Sequence, residues 1–177
     1  MNAKPKMLET PRLVLKPLED GDLETFIRLA SDERIKKTYM LPDLHDKAEE
    51  EAFFRRMRDI CASDAHFMYG IYRMEELIGL LNDCEIEKDR IELGYFIAPA
   101  HWNRGYASEA LRAAIEALFD MGFRTVTAGY FAENTASRRV MEKCGMHPIP
   151  RTDEIPYRGA VHRCLYCEIT REDADRI

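Results

Sequence analysis

Two short segments of the chain hold residue types that can grip an anion. The first is Ile91-Glu-Leu-Gly-Tyr-Phe-Ile-Ala-Pro-Ala-His-Trp-Asn-Arg-Gly-Tyr-Ala107. Here a loop with Gly105 follows a strand-like pattern and opens a helix-like one. The first turn of a helix has unpaired N–H groups at the positive end of the helix dipole, so it suits a phosphate. Gly105 lets the backbone approach closely, and Arg104 adds a full charge. The same features also describe a capped strand-to-helix turn with no ligand. The segment contains neither G-x-x-x-x-G-K-[ST] nor G-x-G-x-x-G. The second segment is Asn134-Thr-Ala-Ser-Arg-Arg-Val-Met-Glu-Lys-Cys-Gly-Met146. Asn134 falls at a helix start, where its amide either caps the helix or reaches a ligand.

Other chemically able residues carry weaker signals. The five cysteines are Cys61, Cys84, Cys144, Cys164 and Cys167. The odd count and irregular spacing read as reduced thiols of a cytoplasmic protein. Cys164-Leu-Tyr-Cys167 sits in a strand pattern, where positions three apart face opposite sides. Cys144, His147 and His162 are near in sequence, but no second C-x-x-C completes a zinc site, so no metal is expected. His45, His66 and His101 read as surface or loop residues. Glu49-Glu-Glu51 with Arg55-Arg56 reads as a solvated helix face.

Elements must position these residues. Pro11–Pro17 reads as a first strand. Leu23, Phe26, Ile27 and Ala30 mark a short amphipathic helix. Asp46 and Glu49 form a capping box for a second helix, with a buried stripe at Phe53, Met57, Ile60 and Cys61. A meander follows: His66–Arg73, Leu77–Glu87 and Arg90–Ala98. The clearest helix runs from Gly105 to Gly122, with Ala107, Ala110, Leu111, Ala114, Ile115 and Leu118 on one face. A strand at Arg124–Tyr130, a helix from Asn134 to Gly145, and strands at about Met146–Arg151 and Ala160–Thr170 complete the order. The strands at 90–130 should form a right-handed parallel crossover.

Composition bounds the function. The chain has 177 residues, 26 Lys+Arg against 32 Asp+Glu, and 46% apolar residues. That apolar content excludes a disordered chain. No run of roughly 18 apolar residues exists, so no membrane span is expected. The start has no apolar stretch after Lys6, so no secretory signal is expected. A net charge of −6 argues against general duplex binding. Residues 1–7 read as a loose tail and 8–177 as a single domain.

Taken together, the two anion segments resemble the GCN5-related N-acetyltransferase (GNAT) superfamily, and more nearly its RimJ/RimL-type branch. The first motif is carried by Glu92, Gly94, Tyr95, Pro99, Trp102 and Gly105-Tyr-Ala-Ser-Glu-Ala110. The second is carried by Asn134, Ser137, Glu142-Lys143 and Gly145, with Met146 in an aromatic place. Leu8-Glu-Thr-Pro-Arg-Leu-Val-Leu15 and the helix after it also fit. The resemblance implies a mixed α/β fold: a mostly antiparallel twisted sheet of about seven strands with a splayed parallel pair, flanked by four helices. It implies acetyl-CoA as co-substrate. The pantetheine would pair with backbone groups of Phe96, Ile97 and Ala98. The amides of Asn103, Arg104, Gly105, Tyr106 and Ala107, with Trp102 and Ser108 beside them, would hold the pyrophosphate, and Asn134 the cofactor arm. Two departures stand out. Trp102 replaces the wider superfamily's Gln or Arg, and Met141 replaces the Tyr that acts there as general acid.

The implied chemistry is direct attack of an amine on a thioester. A carboxylate that accepts the amine's proton assists by about 10²–10⁴-fold. Glu92 is the candidate, since alternation places it on one strand face with Gly94 and Phe96. It serves equally as a substrate anchor or as the partner of a cation. Strand N–H groups near Phe96 and Ile97 would polarise the carbonyl. Ser137 stands where the branch places a hydroxyl donor, or is a plain helix-surface serine. The acceptor, a protein N-terminus or a small amine, would meet Tyr39, Glu92 and Tyr157, with Met40 nearby, in loops at about Ile35–Asp46 and Thr152–Gly159. The protein would be a monomer or homodimer. Two rival readings are a CoA-binding sensor without turnover, invited by Met141, and a nucleotide-binding regulatory domain.

Overall fold

The structure is a computed structural model that describes residues 2–174. Eight strands form one sheet in the order β1-β2-β3-β4-β5-β6-β8-β7. They are β1 (Leu8–Glu9), β2 (Val14–Lys16), β3 (Tyr69–Arg73), β4 (Glu76–Glu87), β5 (Arg90–Ile97), β6 (Thr125–Phe131), β7 (His147–Tyr157) and β8 (Ala160–Thr170). The strand not expected is β1, a two-residue edge that pairs back on β2. The helices are α1 (Leu23–Ala30), α2 (Glu33–Lys36), α3 (Lys47–Ala62), α4 (Tyr106–Met121), α5 (Thr135–Lys143) and α6 (Arg171–Ala174). The two single-turn helices α2 and α6 raise the count above the expected four. Asp32 caps α2 through its bond from the Arg34 N–H. Among the described residues no helix is long and apolar enough to cross a membrane.

Every strand pair is antiparallel except β5 with β6, which α4 joins as a crossover. The sheet separates two cores. On one face α4 and α5 pack Leu111, Ala114, Leu118 and Met141 onto Ile91, Leu93, Val126 and Ala128. On the other, α1 and α3 pack Phe26, Ile27 and Phe54 onto Leu80 and Phe96. The alternation along β5 therefore divides its side chains: Leu93 faces α4, while Phe96 faces α1 and α3.

Two expectations change. The stripe of α3 buries Phe54 and Cys61, whereas Phe53, Met57 and Ile60 are only partly covered. They pack against the edge of that core and also line a groove. The segment expected as an acceptor loop, Thr152–Gly159, is the end of a long β7–β8 hairpin closed at Arg158-Gly159. Both turn residues have positive φ, 49° and 77°, which matches a type I′ hairpin turn. The strand expected to end near Arg151 runs on to Tyr157, and it carries three prolines, of which only Pro156 lies beyond the expected end. They are tolerated because β7 is the sheet edge, where a missing N–H breaks no ladder. Ahead of β1, Asn2 N–H donates to Met121 O, and Pro5 O accepts from the Tyr69 hydroxyl.

Candidate active site

The turn before α4 keeps its amides unspent. Asn103 has φ 58° and Gly105 has φ 81°. The first intrahelical bond of α4 runs from Glu109 N–H to Gly105 O. Among the described residues, no backbone or side-chain acceptor takes the N–H groups of Asn103–Ala107. Successive amides in such a turn form an anion-binding nest. Arg104 gives its carbonyl to Arg12 Nη1 at 3.0 Å, while its own charge stays at the rim. Tyr106 contributes only backbone, because its ring is buried in the α4-side core. Ser108 is buried behind the turn, and its carbonyl faces the Cys144 thiol at 3.3 Å.

Beside this turn the sheet forks. The β5–β6 ladder pairs Arg90 with Thr125 and ends at Leu93 with Ala128. Beyond it, Gly94–Ile97 and Gly129–Phe131 bond only to their outer neighbours. Ala98 N–H donates to Ile78 O at 2.7 Å, so by alternation Ala98 and Phe96 present their backbone to β4. The expected pairing of an extended ligand with Phe96 and Ala98 is thus corrected. Tyr95 and Ile97 face the fork. Trp102 donates its indole N–H to Ile97 O at 2.6 Å, which leaves the Ile97 N–H on the open edge. The polar atom of Trp102 serves the strand end and stays out of the nest.

At the far wall, Asn134 caps α5, its Oδ1 accepting from Ser137 N–H at 3.2 Å. The cap uses the oxygen; among the described residues its side-chain NH₂ has no partner. Met141 is wholly buried in the core. The polar groups on this wall are two hydroxyls instead: Ser137 Oγ lies 3.1 Å from the Tyr95 phenol oxygen.

Glu92 sits one rung below the fork, opposite Thr127 on β6 and Glu85 on β4. Its side chain is 14% exposed and accepts from Arg151 Nη1 at 2.8 Å. Burial pushes its carboxyl above the ordinary value, against the pull of Arg151.

The fold, fork and nest together fit a diphosphate with a thin extended tether. The family model described as "Acetyltransferase (GNAT) domain" matches residues 12–147. The chain belongs to the GNAT acetyltransferase family. The Bacillus subtilis protein YoaA, named an uncharacterized N-acetyltransferase, is 28% identical over 144 residues, 78% of this chain and 81% of that one. Two solved structures share the fold. Mycobacterium smegmatis RimJ in complex with CoA-disulfide has TM-score 0.79 and 20% identity, covering 94% of this chain and 87% of that one. Vibrio cholerae spermidine N-acetyltransferase in complex with CoA and spermine has TM-score 0.76 and 22% identity, covering 93% and 98%.

On the face of this GNAT sheet away from α4, Tyr39 and Tyr157 do come together. The Tyr157 hydroxyl lies 3.4 Å from Tyr39 O and from Leu41 O. The Tyr39 ring packs edge-on against Phe96 at 5.0 Å, and its hydroxyl donates to Asn82. Gly94 makes room: a Cβ there would stand 3.4 Å from the Tyr39 ring and 3.0 Å from Cys84 Sγ. Below lies a cavity of about 880 Å³, floored by Phe26, Phe53, Met57, Met68 and Leu80 and lined on one side by Met40. Among the described residues no group of three His, Cys, Asp or Glu side chains is placed to hold a metal ion. Two residues of this site were given no chemical role from sequence. Tyr95 carried a signal, as the aromatic after Gly94. Arg151 carried none, since a strand irregularity brings it in.

Proposed function

We propose that this GNAT protein is a RimJ/RimL-type N-acetyltransferase, a single cytoplasmic domain spanning residues 8–177. It would use acetyl-CoA as donor and a primary amine, a protein N-terminus or a small amine, as acceptor. One observation carries the reading: the β5–β6 ladder stops at Leu93 and Ala128, beside a turn whose amides find no acceptor among the described residues. The CoA-bound neighbours of the same fold support the donor. The RimJ neighbour supports the branch, and the spermidine enzyme keeps small amines among the acceptors.

Bound acetyl-CoA would supply an activated acetyl group, and the chain's own residues do the rest. The amides of Asn103–Ala107 and the charge of Arg104 hold the diphosphate. Tyr95 and Ile97 offer backbone edge to the tether, and the Asn134 NH₂, which the cap leaves unused, would add a donor to the cofactor arm. The Ile97 N–H stands where a carbonyl oxygen gains negative charge. Glu92 takes the proton of the acceptor ammonium, directly or through one water. As nitrogen bonds to the acetyl carbon and the carbon–sulfur bond breaks, the Ser137 hydroxyl turns from the Tyr95 oxygen to give the departing sulfur a proton, which solvent then restores. Coenzyme A needs little help here, since an ordinary thiol has a pKa of about 8.5.

The test is thiol release from acetyl-CoA with a panel of amines: peptides beginning with Ala, Ser and Met, free lysine, and spermidine. Release that depends on one class of amine is expected. Tight acetyl-CoA binding with no release above buffer would replace the enzyme by a sensor.

A further inference from the structure

One long side chain crosses the sheet face that carries Glu92. Arg151 belongs to β7 at the sheet edge, while Glu92 belongs to β5, with β8 and β6 between. Neighbouring strands lie about 4.8 Å apart, so a flat sheet would separate the two positions by roughly 14 Å. Three features of this chain close the distance.

The first is a break in the ladder. Ile149 faces Tyr166 and Thr152 faces Leu165, so Pro150 and Arg151 have no cross-strand partners. A bulge bends its strand and re-aims a side chain. Pro150, which has no N–H, costs nothing where the ladder is already interrupted. The second is a platform. The Arg151 guanidinium lies over the Tyr166 ring, 3.9 Å from its centroid. The ring is tied down by its hydroxyl, which donates to Asp153 Oδ2 at 2.8 Å. The third is a low crossing point. β6 contributes the short Thr127, whose hydroxyl is spent on Ile91 O.

The groups around Glu92 come from several strands. β4 brings Cys84, Glu85 and Glu87, and β5 brings Arg90. β7 brings Arg151 and Asp153, and β8 brings Cys164, Tyr166 and Glu168. Arg90 turns toward Glu168 at 3.6 Å. Arg151 meets Asp153 at 3.4 Å and Glu85 at 3.9 Å, but its closest bond, 2.8 Å, goes to Glu92. Glu92 is also the most covered of those three carboxylates. Exposed ion pairs contribute little. A distorted strand, an aromatic platform and a buried carboxylate are more than such a pair requires.

We propose that Arg151 is a positioning residue for the transfer reaction: carried inward by the β7 bulge, it holds the Glu92 carboxylate charged and fixed beside the fork. The proposal rests on the reading of Glu92 as the proton acceptor. Burial drives that carboxyl toward its neutral form, and Glu85 and Asp153 push the same way. Arg151 opposes them. Without it, Glu92 must be brought to a higher pH before it can accept a proton.

The test uses the full chain labelled with ¹³C at the glutamate carboxyls. The Glu92 resonance is identified as the one missing from Glu92→Gln. Arg151→Gln is expected to raise the Glu92 midpoint by about one to three pH units. The acid limb of the pH–rate profile, read with acetyl-CoA and the best amine of the panel, should move up by the same amount. Arg151→Lys should restore part of the shift, since lysine returns the charge but lacks the flat fork that rests on Tyr166. In the Glu92→Gln background, Arg151→Gln should cost no further rate. An unmoved Glu92 midpoint overturns the proposal alone. A midpoint that moves while the acid limb stays overturns the reading of Glu92 as base, and the proposal with it. Should Arg151→Gln not fold, Arg151→Met and Arg151→Lys read the same midpoint.

Discussion

The hydroxyl of Ser137 donates to the phenol oxygen of Tyr95 at 3.1 Å, and the Tyr95 hydroxyl reaches the Ser137 carbonyl at 3.2 Å. This bridge joins β5 to the first turn of α5 across the mouth of the fork. It puts two hydroxyls on a wall where Met141 is turned into the core, and under the proposed mechanism the bridge must open before either donates. Burial pushes the Tyr95 phenol above its ordinary value, so it stays protonated through the neutral range. Tyr95→Phe and Ser137→Ala should each lower turnover by about 10²-fold, the low end for assisted proton transfer. CoA affinity by calorimetry should stay within about twofold of wild type, since neither hydroxyl lies in the nest. Unchanged turnover in both variants would leave the bridge a purely structural tie.

The nest was legible in the sequence because its chemistry is local. A turn glycine, a preceding charged residue and a strongly periodic helix lie within a few positions of each other. Asn134 was legible for the same reason, as a cap. The fork needed more: that β5 and β6 part after Leu93 while each keeps pairing with its outer neighbour is a matter of long-range register. Which backbone edge faces the fork depends on one bond, Ala98 to Ile78, and a shift of one residue exchanges the two sets. Arg151 was illegible, because its role comes from a bulge that no single residue announces. The far half of β7 was masked by Pro156, since a proline argues against a strand anywhere but at an edge.

Gly105→Ala should weaken CoA binding. At φ 81° an alanine costs about 1–2 kcal/mol. Its Cβ would also stand 3.3 Å from Arg12 Nη2, a flexible side-chain end that can yield. The strain therefore lies in the backbone, and relief comes only by rotating amides out of the nest. Calorimetry should show a loss of tenfold or more, on the order of 1.4 kcal/mol. Gly159→Ala is the control: its φ is 77°, with nothing within 4 Å of an added Cβ. It should lower Tm without touching CoA affinity. Equal CoA affinity in Gly105→Ala and wild type would remove the turn from the donor site.

Glu109 gives a stability prediction with a definite sign. Its Oε1 accepts from Thr10 Oγ1 at 2.6 Å and from Arg12 N–H at 2.9 Å, and its Oε2 from Arg12 Nε at 2.6 Å. Burial alone would raise the carboxyl, but the bonds from Thr10 and Arg12 outweigh it and hold it below 4.5. A depressed carboxylate contributes stability that is complete above the unfolded value and is lost as pH falls through the folded one. Glu109→Gln should therefore lower Tm at about pH 7, and the difference should shrink as pH falls below 4.5. A Tm difference that stays constant down to about pH 3 would contradict this.

The tip of the β7–β8 hairpin should govern acceptor binding and leave the donor alone. Arg158 makes a two-pronged contact with Glu33, 2.6 and 3.2 Å, and lies 3.8 Å from Asp43. Tyr157 adds its hydroxyl at 3.4 Å from Leu41 N–H and O. Together they clasp the segment around Tyr39 that borders the apolar cavity. The clasp is exposed, so it adds little to global stability, and it is sensitive to salt. Its work is to keep two loops at a fixed separation. Arg158→Ala should raise the acceptor KM several-fold with kcat and CoA affinity near wild type, and Tm should hardly move. High salt should weaken acceptor binding in wild type and have less effect on the variant, because the pair it screens is already gone. An acceptor KM that ignores both the substitution and the salt would mean that the amine enters by another route.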